Sequence, residues 1–240
     1  MISAERLTRR FGATTAVDAL SFVAPDGAIT GLLGANGAGK STTLRMLATV
    51  LRPDDGRALI DGRDTRSDPL AARERLGVMP AVSGIYRELT ARENVRYYGR
   101  LQGLAGAALE RRIDELLFRL ELEGCAGRRG RELSHGQRVK VGLARALVHA
   151  PRNVVLDEPT NGLDVLAIRS LRQLLRELRA AGHCLLFSSH VLSEVAELCD
   201  RVVVIARGRV VAEGSPDALA GAHGASLESA FLAAVSDRAP

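Results

Sequence analysis

Gly34-Ala35-Asn36-Gly37-Ala38-Gly39-Lys40-Ser41-Thr42 decides how this chain is read. It fits the phosphate-binding pattern G-x-x-x-x-G-K-[ST], with Gly34, Gly39, Lys40 and Ser41 at the fixed positions. An apolar run at 28–33 precedes it and reads as a buried strand; residues 43–48 follow and continue as a helix. Glycines let the backbone approach an anion, and successive N–H groups then point inward at a helix N-terminus. Lys40 brings a compact positive charge to the β- and γ-phosphates of a nucleotide, and Ser41 offers a hydroxyl to Mg²⁺.

Working outward, the 240 residues suffice for one sizeable domain or a domain with a sub-lobe. The net charge is +5, and of 33 basic residues only Lys40 and Lys140 are lysines. A planar guanidinium does not replace a point charge in a tight phosphate cradle, which makes Lys40 conspicuous. No basic stripe is interleaved with stacking rings, so nucleic acid is not an expected partner. Cys125, Cys184 and Cys199 have no metal-site spacing, and an odd count suits a reducing cytosol. Residues 1–6 lack an apolar signal core, and runs such as 202–206 are too short to span a bilayer. The expectation is a cytoplasmic chain whose membrane spans, if its work needs them, lie in another protein.

Strand-like runs at 2–7, 16–23, 28–33, 57–60, 76–79, 154–156, 184–187, 201–206 and 209–213 alternate with helical patterns, which implies a mostly parallel sheet covered on both faces. Asp61-Gly62 reads as a hairpin turn. From 90 to 122 the period is helical, with a break near 103–106, a capping box at 90–93 and an apolar face of Leu109, Ile113, Leu116, Leu117 and Leu120. This block looks inserted into the α/β body.

A phosphate loop holds a nucleotide but does not hydrolyse it; hydrolysis also needs a metal partner and a group to orient water. Asp157, at the carboxyl end of a buried strand, can hold Mg²⁺, and Glu158 beside it can polarise the attacking water. His190 ends another strand-like run and can bond a γ-phosphate, although a lone His there is usually structural. Phe11, between two strand-like runs, reads equally well as a purine-stacking ring or an ordinary aromatic.

Leu133-Ser134-His135-Gly136-Gln137 resembles the LSGGQ signature of ABC ATPases, and the order of motifs matches too: phosphate loop, helical insertion, signature, Asp157-Glu158, Asn161-Gly162-Leu163-Asp164, His190. The resemblance runs from residue 2 to about 219. It implies an α/β P-loop NTPase fold with a mostly parallel sheet, an N-terminal antiparallel β subdomain and an α-helical subdomain inserted at about 88–150. That domain would cover 1–220, ahead of a short C-terminal helical tail at 221–240. It implies ATP and Mg²⁺ as cofactors. Gly34, Ala35, Asn36, Gly37, Ala38, Gly39, Lys40, Ser41 and Thr42 then hold the phosphates, Phe11 stacks on adenine, and Ser41 and Asp157 serve the metal. Glu158 and His190 become catalytic. Ser134, Gly136 and Gln137 meet the γ-phosphate bound by a second copy, and Asp164 lies in the loop that communicates across that homodimer. A separate transmembrane permease is the implied partner, with the chain peripheral on the inner face of the cell membrane. The run 84–94 looks like the exporter-type branch that includes sodium-extrusion and drug-efflux ATPases.

Three departures stand out. Ala81 follows Gly77-Val78-Met79-Pro80 where the family has Gln, His135 replaces a signature Gly, and Asn153 takes a usually apolar strand position. Ala81 and His135 support a second reading, a soluble regulator of the same type that binds ATP with little turnover. A third, a ribosomal or DNA-repair protein of the family, fits poorly, because this chain has one cassette and no long coiled-coil insertion.

Overall fold

The computed structural model describes residues 1–81, 84–222, 228–229 and 231–232. The tail expected over 221–240 lies mostly outside them. In chain order the elements are β1 (Ile2–Phe11), β2 (Thr14–Ala24), β3 (Ile29–Leu33), α1 (Lys40–Leu47), β4 (Asp55–Ile60), β5 (Arg63–Asp64), α2 (Pro69–Glu74) and β6 (Leu76–Met79). Then come α3 (Ala91–Leu101), α4 (Gly106–Arg119), α5 (His135–Leu147), β7 (Asn153–Asp157), α6 (Val165–Ala180) and β8 (Cys184–Ser189). The series ends with α7 (Leu192–Leu198), β9 (Arg201–Ala206), β10 (Arg209–Gly214) and α8 (Pro216–Ala222).

Among the described residues the strands form two sheets. One is antiparallel, in the order β2-β1-β4-β5; the other runs β10-β9-β3-β8-β7-β6. In the second, β6, β7, β8, β3 and β9 are mutually parallel and only β10 is antiparallel. β3, β7 and β8 are buried along their whole length, and their side chains divide between two cores by the period-2 rule. Leu185 and Phe187 face the core shared with α3 to α6, whereas Cys184 and Leu186 face the core shared with the antiparallel sheet and α1. Val154 and Leu156 face the first core and Val155 the second. Two covered faces are why these strands read as unbroken apolar runs. Burial also pushes the Cys184 thiol up to about 11.

The helical block enters between β6 and β7, which are hydrogen-bonded neighbours. It therefore leaves the sheet order undisturbed. The Thr90 capping box forms, with Glu93 N–H donating to Thr90 Oγ1 at 3.1 Å and Thr90 N–H to Glu93 at 2.8 Å. The apolar face read from the sequence is buried from Leu109 to Leu120. The block is fastened where α5 crosses β6. A Cβ at Gly77 would lie 2.2 Å from the Ala146 carbonyl oxygen and 2.8 Å from Pro151.

The Asn153 departure now has a cause. Its side chain is fully buried, donates to Asp61 at 2.9 Å and to the Arg75 carbonyl at 3.1 Å, and so ties β7 to the loop after β4. Burial alone would raise the Asp61 pKa, but hydrogen bonds from the Met1 amino group and Asn153 outweigh it and hold the carboxyl below its usual range.

Gly77→Ala must push α5 off the sheet edge and is expected to cost about 1–3 kcal/mol of stability, as overpacking does. Gly127→Ala, whose Cβ meets nothing within 4 Å, should stay within about 0.5 kcal/mol. Denaturant midpoints of the two variants check this.

Candidate functional site

The site lies outside the carboxyl ends of the parallel strands, where an open α/β sheet leaves its crevice. β3 ends at Leu33 and the phosphate loop turns directly into α1, with Gly39 as the N-cap at φ 106°. Only glycine suits that angle, and a Cβ there would also lie 2.6 Å from the Ala16 carbonyl oxygen. Lys40 is buried; its ammonium donates to the Gly34 carbonyl at 2.7 Å and the Ala35 carbonyl at 3.2 Å. It also lies 3.5 Å from Glu158 Oε1.

The neighbouring strands deliver the other groups. Asp157 ends β7, and its Oδ1 accepts from Ser41 at 3.2 Å and from Ser188 at 2.6 Å. Glu158 follows with φ 50°, a left-handed conformation costing a non-glycine residue roughly 1–2 kcal/mol. Its N–H donates to Ser188 Oγ at 3.0 Å, and its Oε2 lies 2.7 Å from His190 Nδ1. Glu158 thus stands between an ammonium and an imidazole, in ion-pair range of Lys40 through Oε1 and within hydrogen-bond distance of His190 through Oε2.

Lys40, Glu158 and His190 border a cavity of about 450 Å³, lined also by Phe11, Ala16, Asn161 and, from the phosphate loop, Ala35, Asn36, Gly37, Gly39, Ser41 and Thr42; Gly34, Ala38 and Asp157 do not line it. Phe11 is 48% exposed, and the Arg9 guanidinium sits 5.0 Å above its ring. The half-exposed ring thus lines the cavity with Arg9 over one of its faces.

Ser134, Gly136, Gln137 and Asp164 do not line this cavity. Within the chain Ser134, Gln137 and Asp164 close helix ends, and Gly136 lies in the first turn of α5. Ser134 caps α5, with Gln137 N–H donating to Ser134 Oγ at 3.2 Å and Ser134 N–H to Gln137 Oε1 at 2.9 Å. Asp164 caps α6 through Ala167 N–H at 2.8 Å. His135 Nε2 lies 2.9 Å from the Asn161 carbonyl oxygen, so the ring bridges the signature to the turn after Asp157-Glu158. Ala81 is exposed, and Ser83 lies outside the described residues.

The ABC transporter family model matches residues 17–161, spanning the phosphate loop, the helical block, the signature and the Asp157-Glu158 pair. The chain belongs to the ABC transporter family. It is accordingly an ATP-binding and ATP-hydrolysing transporter subunit. It is 39% identical to the ABC transporter ATP-binding protein NatA of Bacillus subtilis, covering 91% of each chain. It is 38% identical to the daunorubicin/doxorubicin resistance ATP-binding protein DrrA of Streptomyces peucetius, over 94% of this chain and 68% of DrrA. A solved ATP-binding subunit of an ABC transporter superposes with a TM-score of 0.90 at 32% identity, covering 98% of this chain and 99% of the other. A cassette solved as a dimer in a post-hydrolysis state with ADP and Pi superposes with a TM-score of 0.82 at 26% identity, over 90% and 98%. Relatives of these kinds do not favour the reading as a regulator without turnover.

The sequence reading missed Ser188, the hydroxyl shared by Asp157 and the Glu158 backbone. Its only signal was a serine pair before His190 at the end of an apolar run. Ser188→Ala leaves the Glu158 N–H without its partner and is expected to lower stability by about 1–3 kcal/mol. Hydrolysis should fall as well. Thermal unfolding and a phosphate-release assay on the same preparation check both.

Proposed function

We propose that the chain powers an exporter of ions or drugs through a separate transmembrane permease, lying peripherally on the inner face of the cell membrane. One observation carries the catalytic part: Lys40, Asp157, Glu158 and His190, drawn from three loops, converge on one phosphate cradle. The Nod factor export ATP-binding protein I of Burkholderia lata, 41% identical over 91% of this chain and 72% of its own length, supports the exporter direction, as DrrA does. Among the described residues no helix is long and apolar enough to cross a membrane.

In this reading the backbone N–H groups of the phosphate loop and Lys40 bind the phosphates of ATP, and Phe11 stacks on adenine. Ser41 Oγ and Asp157 Oδ1 are hard oxygen donors already 3.2 Å apart, a set that suits Mg²⁺. When bound, Mg²⁺ neutralises charge on the phosphate oxygens. Glu158 accepts the proton of the attacking water, and His190 orients Glu158 and faces the γ-phosphate. Ser134, Gly136 and Gln137 at the start of α5 approach the γ-phosphate held by a second copy, with Asp164 beside them, so that two ATP molecules join two chains. The dimeric cassettes among the solved relatives support that arrangement.

A surface for the permease lies at the edge of the helical block. Tyr86 and Tyr97 are 45% and 40% exposed and meet edge to face at 5.1 Å, whereas Ile85 is turned inward. Glu88 is already engaged by Arg131 at 3.0 Å, which leaves Tyr86 and Arg87 to receive an amphipathic segment.

Glu158→Gln should keep ATP binding, stop hydrolysis and accumulate an ATP-dependent dimer. Lys40→Ala should weaken ATP binding by about 2–5 kcal/mol, since it leaves phosphate charge without its partner. Light scattering with and without ATP, and nucleotide titration, measure the two. A Glu158→Gln protein that stays monomeric at saturating ATP overturns the dimer.

A further inference from the structure

Glu194 lies in the first turn of α7 and is only 8% exposed. A carboxylate is costly to bury, and its partners show what it holds together. Its Oε2 accepts from Thr160 Oγ1 at 2.8 Å and from Ser189 Oγ at 3.0 Å. Thr160 is two residues beyond Glu158, and Ser189 immediately precedes His190. Ser189 Oγ in turn accepts from the Val191 N–H at 3.0 Å, so this one hydroxyl spans the backbone on both sides of His190.

These bonds close a ring. Glu158 and His190 meet at 2.7 Å on one side, and Thr160 and Ser189 meet through Glu194 on the other. The turn between Glu158 and Thr160 starts from a left-handed residue, a conformation that persists only where its surroundings hold it. Ser188 fixes the near end of that turn through the Glu158 N–H. The far end is fixed by Thr160 on Glu194. Without that second anchor, backbone relaxation at Glu158 would swing its carboxylate away from His190.

We propose that Glu194 is a positioning residue for ATP hydrolysis, a buried cross-brace that sets the Glu158–His190 contact by holding Thr160 and Ser189 on one oxygen. This rests on the catalytic reading of Glu158 given above. Glu194 is not among the residues that line the cavity; it acts through the two loops it joins.

The test uses steady-state ATP hydrolysis by the full chain. Glu194→Ala should lower kcat at least about tenfold, as small misplacements of reacting groups do, with KM for ATP changed less than about threefold. Glu194→Gln keeps an acceptor oxygen for both hydroxyls and should restore most of the lost rate. Thr160→Val should lower kcat in the same sense, and adding it to Glu194→Ala should cost little more, because the two act through one bond. Wild-type kcat in Glu194→Ala, or kcat and nucleotide affinity failing together without rescue by Gln, overturns the proposal. Where Glu194→Ala does not fold, Thr160→Val decides alone: unchanged kcat overturns the brace. Glu158→Gln is assayed in parallel. If it hydrolyses at the wild-type rate, the catalytic reading itself falls and the brace with it, a failure distinct from that of Glu194.

Discussion

Asp157 Oδ1 accepts hydrogen bonds from two hydroxyls on different elements, Ser41 on the phosphate-loop helix and Ser188 on β8. The rest of the site depends on this shared oxygen. It joins the helix that follows the glycine-rich loop to the strand that leads into His190. Because Asp157 is 7% exposed, neither bond competes freely with water. Ser188 then passes the constraint to the Glu158 backbone, and the Glu158 side chain passes it to Lys40 and His190. Few side chains thus fix the relative position of three loops from distant parts of the sequence.

The fold supplies what those bonds need. Parallel strands with both faces covered put their carboxyl ends in one row, and the site occupies that row. Insertion of the helical block between paired strands leaves the row intact. The block reaches the site through loops, with His135 meeting the Asn161 carbonyl as the direct link. A histidine in place of a signature glycine therefore adds a contact inside the chain, and its ring is directed to the turn after Glu158.

Much of this was legible in the sequence. The phosphate loop is contiguous, so its pattern could be read for its conformation, the glycine turn that opens into α1 at Gly39. Asp61-Gly62 appears as a turn with both residues at positive φ, as the dipeptide suggests. The strands at 154–156 and 184–187 followed from their apolar runs, and the apolar face of α4 from its helical period. What escaped was any pairing across long separations. Nothing near Asn153 shows that Asp61, 92 residues away, will accept its amide. Ser188, Thr160 and Glu194 are residue types common at strand ends, turns and helix starts, so their shared bonds were invisible until the sheet register placed them together. The signature serine was read only as a group facing nucleotide; within one chain it is seen as a helix cap.

The end of β8 carries a further consequence. Ser188, Ser189 and His190 are consecutive, yet each serves a different carboxylate: Asp157, Glu194 and Glu158. Because side chains alternate along a strand, loss of one residue within β8 would put one side of the gap out of phase, so that either the apolar residues exchange cores or the three groups leave their acceptors. The connection at 102–105 between α3 and α4 carries no such phase. Evolution can therefore lengthen or shorten the helical block step by step, whereas β8 admits changes of residue but no change of length.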